Sequence, residues 1–123
     1  MSTLKVDNVL DQAGTALPSN LLPVTASAWV NFNGTGVVAI RGSYNVTSIT
    51  DNGTGSYDVN LTSALDNTDC SVVGSCVGAA GGTNRSIAGV ATSTSVVEVS
   101  TWADTSGALL DVEFCNIAVF GGV

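Results

Sequence analysis

The sequence predicts an all-β fold, an antiparallel β-sandwich of about seven or eight strands preceded by an extended N-terminal arm. Three observations predict it. From Ala28 onward apolar and polar residues alternate with a period of two. Clusters of Gly, Asn, Asp and Ser interrupt that alternation at the spacing of strand-connecting turns. No stretch sustains a helical period. The 123 residues suit one domain with its own core.

The first 27 residues read differently from the rest. "LKVDNVLD" alternates as a short strand over Leu4 to Leu10. "QAGTALPSNLLPVTAS" then places Gly14, Pro18 and Pro23, which break helix and interior strand alike. Residues 1–27 are therefore expected to form an arm that needs another surface to lie against, and residues 28–123 the sandwich.

Ala28, Val30 and Phe32 share one strand face, opposite Trp29 and Asn31. Trp29 is expected to pack against the arm or a neighbouring chain. The tetrapeptide Asn33-Gly34-Thr35-Gly36 follows, and Asn-Gly supplies the positive φ angles of a tight hairpin turn. A long strand is expected from Val37 to Thr50, with Val38, Ile40, Tyr44 and Val46 on one face and a bulge or bend at Gly42. The same tetrapeptide recurs from Asn52, after which Tyr57, Val59 and Leu61 alternate with Asp58, Asn60 and Thr62. The repeated turn predicts a three-strand meander. Later strands are expected at Cys70–Val77, Ser86–Thr92, Ser95–Ala103 and Leu109–Phe120. In the last of these, Leu110, Val112 and Phe114 alternate with Asp111, Glu113 and Cys115. Ile117–Phe120 and Val37–Ile40 are apolar on both faces, more than one small sandwich buries, which predicts a homotrimer.

Charge narrows the function. Ten acidic residues face three basic ones, for a net charge of −7, and Lys5, Arg41 and Arg85 stand far apart. Nucleic-acid binding, which needs clustered cations, is not expected. No run reaches membrane-spanning length, so membrane insertion is not expected either, and Met1 to Gly14 lacks the apolar core of a secretion signal. Only 11% of residues are charged, against about a quarter in an average domain, which suits sheets whose faces meet other protein. Cys70, Cys76 and Cys115 are odd in number and sit in strand-like runs, so reduced, buried thiols are expected.

Catalysis lacks its usual residues. The chain has no His, the commonest general base and metal ligand. "DNGTG" at Asp51 lacks the alternating acidic ligands of a calcium loop, and "GAAGGTNR" lacks the Lys-Ser/Thr of a phosphate loop. Asp111 and Glu113 could form a carboxylate pair, but they read as a solvated strand face. No enzyme activity, metal or cofactor is expected. For binding, Trp102 beside Asp104 offers a stacking face and a carboxylate for a sugar; the competing reading of Trp102 is a half-buried strand aromatic. Loops at about 63–69, 79–85 and 103–108 are the expected recognition segments.

The run "AWVNFNGTGVVAIRGSYNVTSITDNGTGSYDVNLT", Ala28 to Thr62, resembles a segment of bacteriophage tail-fibre and tail-tip proteins, including those of marine and cyanobacterial phages. The opening "STLKVDNVLDQAG" and the closing "NIAVFGG" resemble their two ends. No comparable likeness extends from Ser63 to Gly107, nor is there a long shaft of repeats. The resemblance implies a virion protein of the tail, commonly homotrimeric and assembled in the host bacterial cytoplasm. It would dock on other tail or baseplate proteins through residues 1–27 and contact the host surface, with a surface glycan as the receptor class. The rival expectation is a purely structural virion component, such as a tail-collar, baseplate or capsid-decoration protein.

Overall fold

Period-2 alternation resolves into two layers. The computed structural model describes residues 2–3, 10, 25–79, 82 and 84–123. Among them are eight strands: β1 (Ala26–Asn33), β2 (Ala39–Tyr44), β3 (Val46–Gly53), β4 (Ser56–Leu61), β5 (Cys70–Val77), β6 (Arg85–Ala91), β7 (Val96–Ala103) and β8 (Phe114–Gly121). They pair antiparallel in two four-stranded sheets, sheet A in the order β2-β1-β8-β5 and sheet B in the order β3-β4-β7-β6. The expected antiparallel β-sandwich is the fold. The short strand expected at Leu4–Leu10 lies almost wholly outside the described residues, and β1 begins at Ala26, inside the segment assigned to the arm.

The central strands of each sheet fill the core. Ala28, Val30 and Phe32 of β1 and Cys115, Ile117 and Val119 of β8 point inward from sheet A. Tyr57, Val59 and Leu61 of β4 meet them from sheet B, with Val97 and Val99 of β7 and the polar Thr101 beside them. Burying each large apolar side chain contributes roughly 1.5–3 kcal/mol. Phe32 and Tyr57 join the layers edge to face, centroids 5.3 Å apart. The outer strands β5 and β6 also come together, though they belong to different sheets. A Cβ built on Gly89 of β6 would stand 2.7 Å from Cγ1 of Val72 on β5, and one on Gly74 of β5 would stand 3.2 Å from Cγ2 of Ile87 on β6. Both glycines keep this contact free of side-chain bulk, although the nearest obstacles to a Cβ at Gly74, at 2.8 Å, are the Asn116 carbonyl and Ile117 Cδ1 of its own sheet.

Two strand expectations change. The long strand Val37–Thr50 is two strands in different sheets, broken at Asn45. The expected irregularity at Gly42 is present: Asn31 pairs Gly42 and Phe32 pairs Ile40, leaving Arg41 as the extra residue of a bulge. The change of sheet, however, comes later. Asn45 adopts φ 55°, the left-handed region that Asn tolerates better than other side chains. Its amide donates to the Ser27 carbonyl at 3.0 Å and the Ser63 carbonyl at 3.1 Å, while its Oδ1 accepts from the Ser63 N–H at 2.7 Å. The repeated tetrapeptide therefore starts two hairpins, β1–β2 in sheet A and β3–β4 in sheet B, and not a single meander. The second copy makes a tight turn, Gly53 pairing Ser56, whereas the first does not: Asn33 pairs Ala39 across the loop 34–38, and the positive φ falls at Gly36 and not at Gly34.

The last expected strand, Leu109–Phe120, is shortened to β8. Residues 109–113 leave the ladder because their groups bind elsewhere: Leu109 bridges Trp102, Val112 is buried, and Asp111 is held by β4 and the turn before it.

Asn45 should be the most sensitive polar corner. Asn45→Ala loses three side-chain hydrogen bonds and strains the backbone, an expected cost of about 2–4 kcal/mol. Asn45→Gly loses the same bonds without the strain and should cost about 1 kcal/mol less. Urea midpoints at unchanged slope measure both, and equal losses would remove the backbone from this account.

Candidate functional site

Both glycine turns lie at one end of the sandwich, and one phenol joins them. Tyr57, buried at the start of β4, shares its one hydroxyl proton between the Gly34 carbonyl, 2.8 Å away, and Oδ1 of Asp111, 2.9 Å away. The same Oδ1 accepts from the Gly55 N–H at 2.8 Å, and the Gly34 N–H donates to the Val112 carbonyl at 2.9 Å. Thr101 closes the group, donating its N–H to Gly55 at 2.9 Å and its hydroxyl to Leu110 at 2.6 Å. A Cβ at Gly34 would stand 2.6 Å from the Tyr57 hydroxyl, so the repeat needs glycine for space as well as for turning. Burial, then the hydrogen bond and charge of Asp111, push the Tyr57 phenol well above its ordinary range. It is a neutral donor held in place. Asp111, read from sequence as half of a solvated carboxylate pair with Glu113, is a structural acceptor of this group.

Trp102 and Asp104 stand at the same end, on the β6–β7 margin of sheet B. Trp102 is half-buried, opposite Ser86 in the β6–β7 ladder and bridged to Leu109. Asp104 is exposed, but its carboxylate accepts from the Ser86 hydroxyl and its N–H donates to the Asn84 carbonyl at 3.3 Å. The three loops singled out for recognition do not converge. Residues 103–108 sit beside Asn84 and Arg85, whereas Asp66, Asn67 and Asp69 hydrogen-bond Gly122 at the opposite end. Residues 80, 81 and 83 of the middle loop lie outside the described set. Among the described residues no group of three or more His, Cys, Asp or Glu is placed to hold a metal. The acidic turn at Asp51 is an Asx turn, its carboxylate accepting from the Gly53 N–H at 2.9 Å.

The two outer faces differ in character. On sheet B, Asp58 lies directly opposite Glu98, and Asn60 donates to the hydroxyls of Ser48 and Thr50 at 3.1 and 2.9 Å. That face is polar and acidic. The strands of sheet A carry a single charged side chain, Arg41, whose guanidinium lies 4.4 Å from the centroid of the Phe114 ring. On the same outer face Trp29, Tyr44, Val73, Val77, Phe114 and Phe120 are exposed. A groove of about 430 Å³ runs between Trp29 and Val73 over Ala118 and Gly74. Sequence reasoning flagged Trp29 and the two-sided apolar Ile117–Phe120 separately. Only the strand order brings them onto one face.

The three thiols are free, with Cys115 buried and Cys70 and Cys76 half-buried. The ladder sets Cys76 directly opposite Cys115, so its nearest thiol in space is not the one nearest in sequence. Burial, then the charge of Cys76, pushes the Cys115 thiol up from 9.0 to about 12.

Both Tyr57 and Cys115 are held protonated in the folded state. The unfolded chain ionises them first, from pH 9.0 for the thiol and 10.0 for the phenol, so their contribution to stability is whole below those values and is lost as pH rises beyond them. Urea midpoints followed from about pH 8 to about pH 11 should fall more steeply for the wild-type chain than for Tyr57→Phe or Cys115→Ala. Parallel profiles would remove these groups from the alkaline response.

Compared with protein-family models, with curated proteins and with solved structures, the chain matches none of them.

Proposed function

We propose that this chain is a non-enzymatic virion protein of a bacteriophage tail: a short homotrimeric fibre, assembled in the bacterial cytoplasm, that contacts the host surface. The observation that carries the reading is the Ala28–Thr62 run, with its repeated Asn-Gly-Thr-Gly, which resembles tail-fibre proteins. This run supplies β1 to β4, a hairpin for each sheet, so the resembling segment spans both layers of the fold.

The placement of the ends supports the assignment of roles. Ala26 pairs Phe120, and the Ser27 hydroxyl donates to the Gly121 carbonyl at 2.7 Å, so the chain enters and leaves the sandwich side by side. An anchor formed by the preceding residues would hold that end to other tail or baseplate proteins. The opposite end, with both glycine turns, Trp102 and Asp104, would then face the host and its surface glycans. A second reading, a purely structural collar, baseplate or capsid-decoration protein, is favoured by the closed chemistry at that far end. There the indole is half covered and the Asp104 carboxylate already has a partner.

Two measurements separate these readings. Labelled wild-type protein should bind host cells, and Trp102→Ala should weaken that binding about tenfold or more, as truncating a contact aromatic does. Wild-type protein that ignores the cells but is incorporated into virions would support the structural role. Deleting residues 2–24, which stops short of β1, should leave a folded sandwich that no longer enters virions. Incorporation of that truncated chain would place the anchor elsewhere.

A further inference from the structure

Register arranges the outer face of sheet A in rows that cross all four strands. Val73 lies opposite Ala118, Ala118 opposite Trp29, and Trp29 opposite Tyr44. In this row Trp29 is 43% exposed, Val73 50% and Tyr44 57%. The adjoining row runs from Ser75 through Asn116 and Asn31 to Gly42. It is polar but largely satisfied from within: the Asn31 amide donates to the Asn116 side-chain oxygen, the Asn116 amide donates to the Ser75 carbonyl at 3.5 Å, and Arg41 donates to the Asn31 oxygen at 3.5 Å. Phe120 and Phe114 extend the apolar surface at the two ends of β8.

Charge selects the occupant. The chain carries −7, and the outer face of sheet B has Asp58 and Glu98 side by side. Two copies meeting through acidic surfaces would repel one another; sheet A offers a face with one cation, already over a ring. Size agrees. Four strands of up to eight residues make a face of roughly 500 Å² in plan at ordinary strand spacing and rise. With side-chain relief that is of the order of the ~800 Å² a standard interface takes from each partner, divided in a ring of three between a copy's two neighbours. Shape agrees too: the face carries a projecting aromatic, Tyr44, on its edge strand β2 and the groove between Trp29 and Val73 farther across, the two unlike parts that a head-to-tail ring of copies requires.

We infer that copies of this chain associate through the outer face of sheet A, a projecting aromatic side chain of one copy seating in the Trp29–Val73 groove of the next. This rests on the homotrimer proposed above and names its contact surface. The test compares two matched substitutions in the full chain. Val73→Glu adds a charge to the outer face of sheet A; Val90→Glu does so on sheet B, where Val90 is 59% exposed. Light scattering after size-exclusion chromatography should show a trimer for wild type and Val90→Glu, and a monomer with unchanged circular dichroism for Val73→Glu. Trp29→Ala should raise the concentration at which the trimer dissociates by about tenfold or more. If Val73→Glu loses the strand signal, Trp29→Ala decides in its place.

A wild-type trimer that survives Val73→Glu and Trp29→Ala unchanged overturns this surface while leaving the trimer standing. A monomeric wild-type chain overturns both. If such a monomer binds host cells or another virion protein and loses that binding on Val73→Glu, the face belongs to a different partner, and the inference fails on that outcome as well.

Discussion

One phenolic hydroxyl fixes the relation between three parts of the chain that are remote in sequence. Tyr57 bonds the first glycine turn through Gly34 and the last crossover through Asp111, while Asp111 reaches the second turn at Gly55. The ring beneath that hydroxyl packs edge to face on Phe32 of the opposite sheet. Polar registration at the rim and apolar contact in the core therefore meet in one side chain. The low dielectric around the phenol strengthens these bonds and makes an unmade one expensive.

The two-layer fold class, most strand bounds and the places where the chain reverses at each Asn-Gly-Thr-Gly were legible in the sequence because each depends on short-range pattern. Cys70–Val77 is a strand over the residues its alternation delimits, and Tyr57, Val59 and Leu61 point inward as their spacing requires. What was not legible depends on long-range partners. Nothing local separates Asn45 from the other strand-embedded polar residues; its role comes from Ser27 and Ser63, each 18 positions away. Gly42, the more obvious interruption, lies beside only a bulge. Asp111 likewise alternates as a surface carboxylate should, and only the return of the chain to Gly55 and Tyr57 gives it a partner.

The candidate site was legible in part, for a related reason. Trp102 and Asp104 stand two positions apart in sequence, and the fold keeps this aromatic and carboxylate at one margin, but it gives each a neighbour of its own in Leu109 and Ser86. Trp29 was recognisable as a residue facing something other than the core. Its companions come from β2, β5 and β8, and adjacency among those strands follows from sheet order, which no period in a single segment encodes.

The pair of glycines that brings β5 against β6 bears on how this protein behaves when many copies crowd together. A sheet edge with free amides and carbonyls is a template for another strand, and continued addition leads to fibrillar aggregates. Here the edge strand of one sheet abuts the edge strand of the other along Gly74 and Gly89, and at the opposite margin the chain itself turns the corner from β2 into β3. An incoming strand meets the second layer directly beside the β5 and β6 edges, and a sharp corner at Asn45 between the β2 and β3 edges. Templated pairing is discouraged most at the β5–β6 border, where the two edges crowd one another.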